Sequence, residues 1–181
     1  GAFFTPPDVA AALVAEVVAR GTVLDPACGG GVFLLAAARR LLEVGAADRG
    51  SIVRRHLFGA DVDPASVDAT RRVLGAWADV HPDEVSGVVV ADPLHEVADP
   101  WPDRPVDGFD AVVGNPPFLG QLLASTSRTG ADRKLLRERF GDLVGAYTDA
   151  AWLFLALGLE VLAPGGRMVL IQPQSLLAAR D

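Results

Sequence analysis

Thr22-Val23-Leu24-Asp25-Pro26-Ala27-Cys28-Gly29-Gly30-Gly31-Val32-Phe33-Leu34 reads as a short strand, a turn with three consecutive glycines, and the opening of a helix. Glycine tolerates φ > 0 and lets a ligand approach the backbone, and the helix N-terminus that follows favours a carboxylate. A turn made only for packing would not need an acid and three glycines together, so this stretch predicts a ligand loop at the carboxyl end of a strand. The dinucleotide pattern Gly-x-Gly-x-x-Gly or Ala is not met, because counting from Gly29 and Gly31 the third place is Leu34. Cys28 reads as a small buried loop residue rather than a nucleophile.

Working outward, the same grammar repeats. Leu57-Phe58-Gly59-Ala60 is a second strand ending at Asp61, an acid placed to bind the two hydroxyls of a ribose, and Asp63 caps the next helix. Gly87-Val88-Val89-Val90-Ala91 is a third strand, left through Asp92-Pro93-Leu94 at the same edge. Phe109 to Val113 is a fourth, apolar and β-branched as in a parallel strand covered on both faces, and Gly114 ends it. Pro116 holds Asn115 extended, and the prolines donate no N–H. An amide oxygen on Asn115 and the Pro116 carbonyl then face one incoming amino group, with Phe118 placed to stack on what carries it. A helix from Tyr147 to Leu162 stops at Ala163-Pro164-Gly165-Gly166, and Arg167 to Ile171 is strand five.

Upstream, Thr5 is expected to cap a helix with Pro6, Pro7 and Asp8 in its first turn, running to about Arg20 and stopped by Gly21. A further helix runs to about Val44, and a weaker one leads to His56. The region from His95 to Gly108 reads as a surface loop without chemistry. Alternation of strand and helix from Thr22 to Ile171 predicts a parallel α/β sheet whose ligands bind beyond the carboxyl ends of the strands. Asp25, Asp61, Asp92 and Asn115 all stand directly after strands.

The totals bound the function. The 181 residues suffice for one domain, and with half of them hydrophobic and 22% charged the chain is not disordered. The longest apolar run, Ala150 to Leu159, falls short of the about 20 residues that span a bilayer, and no secretory signal is visible. A single cysteine excludes an internal disulfide and suggests a reducing, cytoplasmic compartment. His56, His81 and His95 show no ligand spacing, so no metal is expected. A net charge of −7 opposes phosphate binding, but Gln121 to Phe140 carries +3, which leaves −10 elsewhere.

Asp-Pro-Ala-Cys-Gly-Gly-Gly-Val-Phe-Leu at 25–34, Leu-Phe-Gly-Ala-Asp-Val-Asp-Pro at 57–64 and Asn-Pro-Pro-Phe at 115–118 together resemble the gamma-class DNA adenine-N6 methyltransferases. The likeness is strongest to the fused type IIG restriction-modification methylases of the Eco-fifty-seven-I type, from bacteria. The resemblance implies a Rossmann-like, class I S-adenosylmethionine-dependent methyltransferase fold with strand order 3-2-1-4-5. It implies that Thr5, Asp25, Ala27, Gly29, Gly31, Asp61, Asp92 and Asn115 serve S-adenosyl-L-methionine, with Asp61 at the ribose and Asp92 at the adenine amino group. Asn115, Pro116 and Phe118 are then catalytic, acting on an adenine flipped out of double-stranded DNA in a restriction-modification or phage-defence system.

Similar Asn-Pro-Pro motifs occur in methyltransferases for protein glutamine and for guanine N2 of ribosomal RNA, and a cofactor-binding scaffold without catalysis is a reading of another class. Against the family's pattern, residues 1–181 are expected to be a methyltransferase catalytic domain that stops before the last two strands and lacks the carboxyl-terminal DNA-recognition domain. Strand five is then an exposed edge, expected to be covered by a neighbouring chain or by the tail after Gln172, and DNA binding is expected only through a longer protein.

Overall fold

The computed structural model describes residues 5–95, 100–101, 103–117, 130–141 and 150–174. Helix α1 (Pro7–Val17) is followed by β1 (Val23–Asp25), α2 (Val32–Glu43), α3 (Arg49–Arg55), β2 (Leu57–Asp61) and α4 (Pro64–Ala78). A 3-10 turn (Pro82–Glu84), β3 (Val88–Val90), β4 (Phe109–Gly114), α5 (Gly130–Phe140), α6 (Ala150–Val161) and β5 (Leu162–Leu170) complete the order. The five strands form one sheet in the order β3-β2-β1-β4-β5, the order the family resemblance implies, and every neighbouring pair is parallel, as the alternation of strand and helix predicts.

Period-two alternation explains why both faces are apolar. Val23, Leu57, Ala111 and Val113 turn to the side packed by α1, α2, α3 and α4, whereas Leu24, Phe58, Ala60 and Val112 turn to the side packed by α5 and α6. Parallel strands covered on two faces have no wet side, hence their continuous apolar runs. Because every strand points the same way, the residues that follow β1, β2, β3 and β4 gather at one edge.

Four expectations need correction. Thr5 does not cap α1: Pro6 holds the cap position, no side chain bonds the helix end, and the helix stops at Val17 instead of near Arg20. Gly21 matters less as a stop than as a gap, since at φ 77° a Cβ there would run into the Asp110 carboxylate. That carboxylate accepts from the Thr22 N–H at 2.8 Å and from its hydroxyl at 3.1 Å, fastening β1 to β4. The loop before β4 is not all surface, because Trp101 is buried and meets Phe109 edge-on at 5.7 Å. Finally, β5 begins at Leu162: Phe109 pairs with Leu162 and Ala111 with Arg167, so Ala163-Pro164-Gly165-Gly166 bulges out within the strand's span rather than preceding it. The predicted start of the long helix at Tyr147 lies outside the described residues.

Candidate functional site

The glycine loop is held from three directions. Cys28 donates its N–H to the Ala60 carbonyl at 2.8 Å, Gly29 donates to Oδ2 of Asp61 at 2.9 Å, and the Thr70 hydroxyl donates to the Gly29 carbonyl at 2.7 Å. Gly31 caps α2 in the left-handed region at φ 80°, and a Cβ there would stand 2.8 Å from Cγ2 of Thr70. Gly31 supplies no side-chain cap to α2, and a Cβ at Gly29 or Gly30 would meet nothing within 4 Å among the described residues. The loop therefore shows bare backbone and an open helix end to the space beyond β1, which fits an anionic group on a ligand.

Two aspartates share this corner. Oδ1 of Asp25 accepts from the Ala27 N–H at 3.1 Å. Burial pushes the Asp25 carboxyl up from 3.8 to about 7, against the Ala27 hydrogen bond and with added repulsion from Asp61. Burial pushes the Cys28 thiol up as well, with Asp25 and Asp61 adding to the rise, so the thiolate is disfavoured and the side chain is an inert loop residue as its sequence context indicates. Asp61 receives N–H groups from Gly29 and, on Oδ1 at 2.9 Å, from Asp63. A carboxylate offers about four acceptor positions, so capacity for two further donors is left. Asp63 caps α4 as predicted, accepting from Ala65 at 3.1 Å.

Asp92 leaves β3 at the same edge, bonded through Oδ1 to the Leu94 N–H at 3.1 Å and through Oδ2 to Nδ1 of His95 at 2.7 Å. The same turn is tied down by Arg139 of α5, which donates to the Pro93 carbonyl at 2.6 Å and pairs with Glu160 of α6. Part of the basic segment thus braces the fold, and Lys134 pairs with Glu138 within α5.

Asn115 follows β4, and its Nδ2 donates to the Thr5 hydroxyl at 3.1 Å, across 110 residues of sequence. That bond engages Nδ2 and leaves Oδ1, the other end of the amide, as an acceptor. Thr5 is thereby in the site after all, beside Asn115 rather than at a helix cap. Gly114, at φ 154°, brings the β4 tip against β1, for a Cβ there would lie 2.7 Å from Oδ1 of Asp25. Pro116 is buried, and Phe118 lies outside the described residues. The sequence-predicted residues Thr5, Asp25, Ala27, Gly29, Gly31, Asp61, Asp92, Asn115 and Pro116 all stand around the strands' carboxyl edge. Thr70, His95 and Arg139 were missed; each acts through a partner distant in sequence or through a turn that no motif marks. Among the described residues there is no cluster of three metal-ligating side chains, and no helix is long and apolar enough to cross a membrane.

The parallel sheet with this order and edge is the class I S-adenosylmethionine-dependent methyltransferase fold. A putative methyltransferase of that class from Listeria monocytogenes superposes with a TM-score of 0.65, at 20% identity, over 96% of this chain and 46% of its own. The methyltransferase subunit of a type I restriction-modification system from Streptococcus thermophilus gives a TM-score of 0.62 at 22% identity, over 93% of this chain and 34% of its own. The chain belongs to the N-6 DNA methylase family, whose pattern matches residues 1–180. It is 33% identical over 123 residues to the type I restriction enzyme MjaIX methylase subunit of Methanocaldococcus jannaschii, a match that covers 65% of this chain and 19% of that subunit. The chain thus spans about a fifth of the curated relative.

Proposed function

We propose that this chain is the catalytic domain of a restriction-modification DNA methyltransferase that methylates N6 of adenine. The observation that carries the reading is the Asn115 amide, which follows β4 beside Pro116 and bonds the Thr5 hydroxyl through Nδ2, in a member of the N-6 DNA methylase family. The exposed backbone at Gly29 and Gly30, the uncapped α2 and the half-buried Asp61 fit S-adenosylmethionine as anion, hydroxyl and amine partners. When bound, that cofactor supplies an electrophilic methyl group on a sulfonium.

The residues of the chain supply placement and charge stabilisation. An adenine amino nitrogen is a poor nucleophile because its lone pair is delocalised into the ring. Oδ1 of Asn115 and the Pro116 carbonyl accept its two N–H bonds, favour a pyramidal nitrogen and stabilise the positive charge that develops there. No general base is needed, since the methylated nitrogen loses its proton readily to water. Asp61 would hold the ribose and Asp92 the adenine of that cofactor. Phe118 stacks on the extruded base.

The test is to incubate the longer protein that contains this domain with S-adenosylmethionine and unmodified plasmid DNA. N6-methyladenine in the digest is the expected product. Cofactor binding with methylation of ribosomal RNA or a glutamine peptide instead would transfer the reading to those substrates, and absence of cofactor binding would leave a scaffold.

A further inference from the structure

One polar group at the ligand edge has no task in this scheme. Leu170 of β5 pairs with Gly114, and the Ile171 N–H donates to the Gly114 carbonyl at 3.0 Å. Continuing that register sets Gln172 level with Pro116. Met168 and Leu170 pack with the α6 cluster, Val169 and Ile171 with the α1 and α2 cluster. By the same alternation Gln172 belongs to the α6 face, opposite the face on which Thr5 holds Asn115.

Both polar atoms of the Gln172 side chain, Nε2 and Oε1, are buried, and neither has a hydrogen-bond partner among the described residues. Burial has stripped them of water, and folded proteins seldom leave such groups unpaired. A side chain that carries an NH2 donor and stands level with Pro116 can pair with a ring nitrogen at the edge of a nucleobase, and glutamine donates to adenine in this way. We propose that the Gln172 carboxamide hydrogen-bonds the edge of the acceptor base and so helps to select it, an inference that rests on the methyltransferase reading. Asn115 and Pro116 take the two amino hydrogens. The NH2 group of Gln172 then donates to a ring nitrogen on one side or the other of the amino group: N1, bonded to the amino-bearing carbon, or N7, one ring atom further away.

The test uses the full-length protein and its recognition duplex, mapped beforehand from methylated plasmid, carrying adenine, 1-deazaadenine or 7-deazaadenine at the target position. The parent is expected to lose about 10- to 100-fold in kcat/KM on one of the two analogues relative to adenine. Gln172→Met, similar in length and without hydrogen-bonding capacity of consequence, is expected to show that loss already on adenine and no further loss on the same analogue. Its Tm and its affinity for S-adenosylmethionine should equal the parent's. A variant with parental kcat/KM on adenine overturns the proposal. So does equal loss on all three duplexes together with weakened cofactor binding, which would mark a structural role. Should Gln172→Met not fold, the analogue series on the parent decides, and indifference to both analogues overturns the proposal. A parent that methylates no base fails the functional reading itself and removes the proposal with it.

Discussion

The β1–β2 corner and the β4–β5 corner of the same sheet edge are built on opposite plans. In the first, polar groups are spent on each other: Asp61 takes the N–H groups of Gly29 and Asp63, Thr70 bonds the Gly29 carbonyl, and Cys28 donates to Ala60. In the second, the Asn115 side chain bonds Thr5 through Nδ2 alone among the described residues, and Gln172 bonds none of them. Self-bonded loops keep a cradle in shape before the ligand arrives, which lowers the entropy lost on binding. Groups left open are held for a partner that changes during the reaction. A donor site bound in every turnover suits the first plan, and an acceptor base that must enter, react and leave suits the second.

The comparison breaks most easily at Asn115. In the longer protein, Asn115→Ala should lower kcat by about 100- to 1,000-fold, the scale for removing a group that stabilises developing charge, while calorimetry shows cofactor affinity unchanged. Near-parental turnover would mean that the open corner does not hold the chemistry.

The closed corner carries an electrostatic cost that pH reveals. Asp25 has its folded-state value raised, so the unfolded chain gives up its proton first as pH rises and stability drains away between the two values. Asp25→Asn cannot ionise and avoids that loss. The variant should therefore gain on the parent by about 1.4 kcal/mol for each pH unit between 3.8 and about 7, and by a constant amount above. Denaturant titrations from pH 4 to 8 measure this, and parallel curves for the two proteins would show that Asp25 is not buried as a neutral acid.

Asp61→Ala removes an acceptor from both the glycine loop and the ligand side, and should weaken cofactor binding by about 1–3 kcal/mol. Asp92→Ala should do the same with less effect on the loop, since its bonds run to Leu94 and His95. Calorimetry with unchanged affinity in both variants would dissolve the distinction between the corners. The smallest effect is expected at Thr5. Thr5→Val frees the Asn115 amide to turn, costing one hydrogen bond, about 1 kcal/mol or some 5-fold in kcat, and Thr5→Ser should restore it. A loss in cofactor affinity without loss in kcat would assign Thr5 to the closed corner instead.

What the sequence determined by itself was local and one-dimensional. Apolar β-branched runs mark the strands. A parallel sheet carries every loop after a strand to the same edge, so Asp25, Asp61, Asp92 and Asn115 were legible as neighbours at that edge without knowledge of any contact. Asp63 was legible as a cap because its partner Ala65 is two residues away. Tertiary structure alone decided the pairings that depend on packing. Thr5 looked like a cap because Ser, Thr, Asp and Asn before a helix usually are, yet β4 delivers Asn115 to its hydroxyl. Gly21 looked like a stop and is a space for Asp110; Gly114 looked like an end and is a close approach to Asp25. Trp101 sat in a run of prolines and acids that reads as surface, and is buried in the cluster it shares with Phe58, Phe109 and α6, its ring perpendicular to that of Phe109. Gln172 stands in the Ile-Gln-Pro-Gln tail at 171–174, but nothing in that tail gives its side chain a task. Its meaning comes from which strand lies beside β5 and from the water that burial removes, and neither is encoded within a few residues of it.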